Sequence, residues 1–223
     1  MEQRELAVKH SKKALQLRPN AVDYLLSALF CIASLKNTQA RNRSERPKDV
    51  PETAAVARNV LAMEGLEPPT IASAYYVLVV SSTSVLDKVK WASKSIEINP
   101  FGQAFYYARA FFYESLKDNQ KAATDRAKAD ALKKAHTLFV TSRVEKDPAE
   151  AVRLAQEACQ LTNYSYYKHL SALAFAHHKN GDHAEAVRWS EKSWKLLESW
   201  PDGETKSSIA KSLVDYRKRV ARK

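Results

Sequence analysis

Four histidines, His169, His177, His178 and His183, crowd into one stretch of this chain. Metal coordination is the chemistry such a cluster offers. Zinc needs three or four ligands converging at about 2 Å, and no cysteine or acidic ligand at helical spacing completes the set. His177 and His178 also point roughly 100° apart on a helix. They read as surface or packing histidines, and no metal or cofactor is expected. Cys31 and Cys159 have no partner at metal or redox spacing, so a disulfide framework is not expected and a reducing, cytoplasmic setting fits. No nucleophile motif, phosphate loop or carboxylate pair in a recognisable context occurs, which argues against an enzyme. The largest capacity for contact lies in aromatic residues between Gly102 and Lys117: Phe105, Tyr106, Tyr107, Phe111, Phe112 and Tyr113. On a helix they point around nearly the whole circumference, and a helix apolar all round must be covered on more than one side. Either neighbouring helices cover it, with tyrosine hydroxyls reaching solvent, or Tyr107 and Phe111 stay open as anchors for a peptide.

Charge offers a second chemistry. The 223 residues carry a net charge of +11, and the excess collects near the two ends. One cluster is Arg41, Arg43, Arg46 and Lys48, and the other is Arg217, Lys218, Arg219, Arg222 and Lys223. Both read most simply as solvated segments. Their alternative is a contact for acidic protein, nucleic acid or anionic lipid.

The elements that must position these residues are helices. Four glycines and no alternating Val/Ile/Thr runs argue against a sheet, while abundant Ala, Leu, Lys, Arg and Glu favour helix. A small-residue column, Ala14, Met63, Ser95, Ala129, Ala158 and Ser193, is followed three positions later by Leu17, Leu66, Ile98, Leu132, Leu161 and Leu196. Its steps lie near the roughly 34-residue period of a helix-turn-helix repeat, with two exceptions. The first step is long because a polar, proline-punctuated segment at about 37–51 is inserted. The fourth is short because residues 119–146 lack Pro and Gly, so two helices run together there as one. Asp147 before Pro148 forms an N-cap with proline at the first helical position, and Gly181 then Asp182 closes one helix and opens the next. The last helix, about Glu204 to Ala221, carries Ile209, Leu213, Val214 and Tyr216 on one side, as a terminal cap requires. About twelve helices in antiparallel pairs are expected. No apolar stretch approaches the 18 or so residues of a membrane span, so a soluble, non-inserted chain is expected.

The stretches YYARAFFYESLKDNQKAATDRAKADAL and HLSALAFAHHKNGDHAEAVRWSEKSWKLL resemble the tetratricopeptide repeat. Ala110, Tyr113, Ala122 and Ala129 match its packing positions in the first, and Leu170, Leu173, Ala174, Gly181 and Ala186 in the second. DPAEAVRLAQEACQLTNY and SLVDYRKRV further resemble the C-terminal repeats and end-cap of large bacterial members. Arg109 departs from the pattern, standing where an apolar residue is usual. The resemblance implies an all-α, right-handed solenoid over 1–223 as one domain, with the first helix of each pair lining a concave face. Carried over by position, that face would include Phe30, Val77, Tyr107, Phe111, Glu114, Arg143, Lys168, Phe175 and His178. The carboxylate clamp of the chaperone-binding subclass is absent, since Ala104, Tyr107, Phe111 and Ser171 occupy its positions.

The expected function is a non-catalytic scaffold that binds a protein or peptide segment. Binding of nucleic acid by a basic helical repeat is the main alternative, although single strands want bases interleaved with aromatics along a groove. A third expectation comes from residues 1–17, which read as the second helix of a pair: either Glu2 to Leu17 is an unusual N-terminal cap, or the chain is the C-terminal interaction part of a larger enzyme, whose activity fold alone cannot supply. The concave face is either empty or filled by the polar insertion at Asn37 to Val50, folded into the groove as a strap.

Overall fold

A computed structural model describes residues 51–222, and among them the secondary structure is entirely helical. Nine helices follow one another among these residues. They are α1 (Pro51–Leu61), α2 (Pro68–Ser81), α3 (Val85–Ile98), α4 (Gln103–Ser115), α5 (Asn119–Val144), α6 (Pro148–Leu161), α7 (Tyr167–Lys179), α8 (His183–Lys195) and α9 (Glu204–Val220). The expected helix at Glu2 to Leu17, the inserted segment before Pro51, Phe30, Cys31 and the cluster Arg41, Arg43, Arg46 and Lys48 lie outside the described residues. The chain divides into two compact units, residues 1–126 and 127–223, with the boundary inside α5.

Boundaries follow local chemistry. Pro68 and Pro69 open α2 and Pro148 opens α6, because the first helical turn has no intrahelical use for the missing amide. Ser84 caps α3 by accepting from the Asp87 amide at 3.2 Å, and Asp147 caps α6 by accepting from the Ala149 amide at 3.0 Å. Asp118 does the same for α5 through the Lys121 amide at 3.2 Å. The 26-residue α5 bears out the expected run-on, since nothing between 119 and 144 breaks it. At the turn after α7, Gly181 takes φ +83°, a left-handed conformation that suits glycine.

In the first unit, α1 and α2 close a core of Ala54, Val56, Ala57, Val60, Ala74, Val77 and Leu78, edged by Leu66, Tyr75 and Trp91. Helix α3 packs on both α2 and α4. In the second unit, Ala151, Ala155, Cys159, Leu170, Leu173 and Ala176 form the core between α6 and α7. The Ser193 hydroxyl donates to the Tyr167 carbonyl at 2.9 Å, so the start of α7 meets the end of α8 and the two run antiparallel. Helix α9 closes the unit, placing Ile209 with Tyr167 and Leu197, and Tyr216 with Ala174 and Ala186.

Four members of the small-residue column, Ser95, Ala129, Ala158 and Ser193, are completely buried. A small side chain there lets paired helices approach closely, and any larger one would meet packed atoms. Three expectations are corrected. Met63 lies past the end of α1 and is 37% exposed. Leu197, not Leu196, fills the position in the core after α8, because the helix ends at Lys195 and the following turn rotates the next residue inward. Val214 faces water on α9, whereas Ile209, Leu213 and Tyr216 are buried as expected.

Candidate functional site

The four histidines are not drawn into one site. His169 is buried, its Nδ1 3.2 Å from the Thr162 hydroxyl and its ring edge-on to Tyr166 and beside Phe139. Burial lowers its pKa to about 4, so it is a neutral packing residue near pH 7. His177 Nδ1 faces the Asp182 carboxylate at 3.6 Å, too long for a hydrogen bond. His178 and His183 approach through Nδ1 atoms 3.2 Å apart, and the His178 ring lies tilted against Tyr216 of α9 at 4.7 Å. Desolvation, then the neighbouring His183, holds His178 below the usual histidine range. Among the described residues no three His, Cys, Asp or Glu side chains converge as metal ligands. Cys159 is fully buried and desolvation pushes its thiol up to about 12, which removes it as a nucleophile near neutral pH.

The aromatic side chains of α4 divide between core and surface. Phe105 and Tyr106 are core residues, with Phe105 5.1 Å from Tyr76 of α2. Tyr107, Phe112 and Tyr113 are half-buried. Phe111 is 46% exposed, held edge-on to Phe112 at 5.5 Å. Arg109, the departure from the repeat pattern, is explained by its partner. Its Nε and one terminal nitrogen donate to the two oxygens of buried Asp125 at 2.7 and 2.8 Å, and the other terminal nitrogen reaches Ser93 at 3.1 Å. Donating these hydrogen bonds to Asp125 raises the Arg109 pKa further, so the guanidinium keeps its charge. This bidentate pair joins α3, α4 and α5.

Three exposed apolar residues keep one spacing to the start of the helix that follows. Phe111 stands seven positions before Asp118, Val140 seven before Asp147, and Phe175 seven before Asp182, and each acid is the N-cap position of the helix that follows. These three apolar residues are 46%, 46% and 40% exposed. Val77 holds the same place before Ser84 but is buried, which corrects its assignment to an open face: α1 packs onto that side of α2. Val140 escaped the sequence reading because it sits inside the unbroken α5, where no cap or proline marks the start of a second helix.

The other expected site residues fall into two groups. On α4, Glu114 is exposed but engaged, both of its oxygens accepting from Arg126 at 2.8 and 2.7 Å. In the second unit, Arg143, Lys168 and Phe175 are exposed on α5 and α7. Those two helices lie side by side and run the same way, since Phe139 meets His169 at 5.5 Å and Lys179 Nζ donates to the Glu145 carbonyl at 2.9 Å. Of the C-terminal bases, Arg217 pairs with Glu191 at 2.7 Å, while Lys218, Arg219 and Arg222 are exposed. No described helix is long and apolar enough to cross a membrane. Compared with known proteins, the chain matches no family model and no curated relative.

Proposed function

We propose that this chain is a tetratricopeptide-type, right-handed α-solenoid of about twelve helices, a cytoplasmic and non-catalytic scaffold whose concave face holds a segment of another protein. The observation that carries the reading is the repeated exposure of Phe111, Val140 and Phe175 at one register, each seven residues ahead of an N-cap. Folding hides apolar side chains by default, and a large apolar residue left open at the same place in successive hairpins fits contact with a partner. The completely buried Ala129, Ala158 and Ser193, at matching positions of the second helices, supply the close packing such a stack needs.

The test is affinity capture from lysate with the purified chain beside two variants, Tyr107→Ala/Phe111→Ala and Lys218→Glu/Arg219→Glu, eluted with a salt gradient. A discrete protein lost with the aromatic variant and resistant to salt is the expected result. Nucleic acid released by modest salt, and lost with the charge variant instead, would replace this reading by the basic helical repeat.

A further inference from the structure

We infer that, within the second unit, the face shared by α7 and the C-terminal half of α5 takes an acidic segment carrying apolar side chains, a choice of partner that rests on the scaffold reading above. Three observations converge on it. Val140, Val144 and Phe175 are 46%, 74% and 40% exposed on two helices whose contact is fixed by the Phe139–His169 rings and the Lys179–Glu145 hydrogen bond. Three bases stand among them: Arg143 and Lys168 lie over the Phe139 and Tyr167 rings at 5.7 and 5.9 Å, and Lys179 over Phe175 at 5.9 Å. Among the described residues Arg143, Lys168 and Lys179 belong to none of this unit's ion pairs, which include Lys134–Glu157, Arg153–Glu150, Arg188–Glu185 and Arg217–Glu191.

Two acids beside the end of α5, Glu145 and Asp147, are turned to the backbone. Glu145 Oε1 accepts from the amides of Lys146 and Asp147 at 2.7 and 3.1 Å, and Asp147 Oδ1 from the Ala149 amide. That leaves Arg143, Lys168 and Lys179 to meet the carboxylates of a ligand. Apolar contact supplies area, and the positive rim selects sign and steers encounter. An apolar segment rich in lysine would meet repulsion from the same rim.

A phage-displayed library of random peptides of roughly 16 residues, selected on the full chain, tests this choice of partner chemistry. The expected winners are rich in Asp and Glu with apolar residues between. Val140→Glu/Phe175→Glu and, separately, Arg143→Glu/Lys168→Glu should each weaken the best peptide about tenfold or more in fluorescence anisotropy. All four positions are exposed, and circular dichroism checks that both variants stay helical. Exchanging the peptide's acids for lysines should restore binding to the Arg143→Glu/Lys168→Glu variant. Winners without acidic bias, or winners weakened only by Tyr107→Ala/Phe111→Ala, would overturn this inference and leave the scaffold reading standing. Recovery of no peptide, with or without salt-sensitive binding of a single-stranded oligothymidine, would overturn both.

Discussion

The hairpin α4–α5 and the hairpin α7–α8 solve one packing problem with opposite chemistry. Leu173 stands 64 positions after Arg109, and Trp189 stands 64 after Asp125. The earlier hairpin fills the space with a bidentate ion pair. The later one fills it with a fully buried leucine and a tryptophan stacked on Tyr164 at 5.4 Å. What the two share lies elsewhere: a turn residue with positive φ, Lys117 or Gly181, then Asp118 or Asp182, then completely buried Ala129 or Ser193. The backbone thus tolerates either filling provided that the turn and the close approach are kept. A charged pair at such a site is satisfied only as a pair, whereas an apolar filling is graded by volume.

That difference sets the size of the expected effects. Asp125→Ala leaves the Arg109 charge in a half-dry site and should cost about 4 kcal/mol in urea unfolding. Arg109→Leu/Asp125→Leu should recover most of this, bringing the first hairpin toward the chemistry of the second. A single-variant cost below about 1 kcal/mol would mean that the pair behaves as a surface pair and that the two hairpins do not differ in this way. Leu173→Ala should cost about 3 kcal/mol, with no second substitution expected to restore it by charge.

The next effect concerns the second unit alone. His169 has a folded pKa near 4 against about 6.5 unfolded, so the unfolded chain binds more protons between those values. Its contribution is fully present above about pH 6.5 and is lost as pH falls through about 4, a change of about 3 kcal/mol. Comparing urea unfolding across this window with that of His169→Leu should show a flatter curve for the variant; parallel curves would remove His169 as the cause. The smallest effect tests the turns. Lys117→Gly should stabilise the chain by about 1 kcal/mol, because φ +63° strains a residue with a Cβ, and Gly181→Ala should destabilise it by a similar amount although its surroundings leave room. Equal melting temperatures for both variants and the parent would show that the turns do not control the register.

Signals written in short stretches of sequence were legible. The missing Pro and Gly across 119–144 announced the continuous α5, the Asp147–Pro148 pair announced the start of α6, and Ser95, Ala129, Ala158 and Ser193 announced the tight contacts. Features decided by which helix lies alongside were not. Val77 has the same spacing to a cap as Phe111, and only the packing of α1 distinguishes a core residue from an open one. Arg109 was visible as an oddity, but its partner lies a helix away and no local pattern pairs them. At the candidate site, Phe111, Arg143, Lys168 and Phe175 were found through repeat position and are exposed, whereas Val140 was hidden by the same unbroken helix that was read correctly.

The depth of Cys159 gives the second unit a built-in clock. With the sulfur fully buried and its thiol pushed up to about 12, Cys159 is protonated and out of reach at pH 7 in the closed state. An alkylating reagent must therefore wait for α6 and α7 to part, and its rate of reaction at this sulfur, resolved by peptide mass analysis, counts those openings. A ligand that binds across the closed helices would slow the count in proportion to its occupancy, making a residue with no part in recognition a gauge of it.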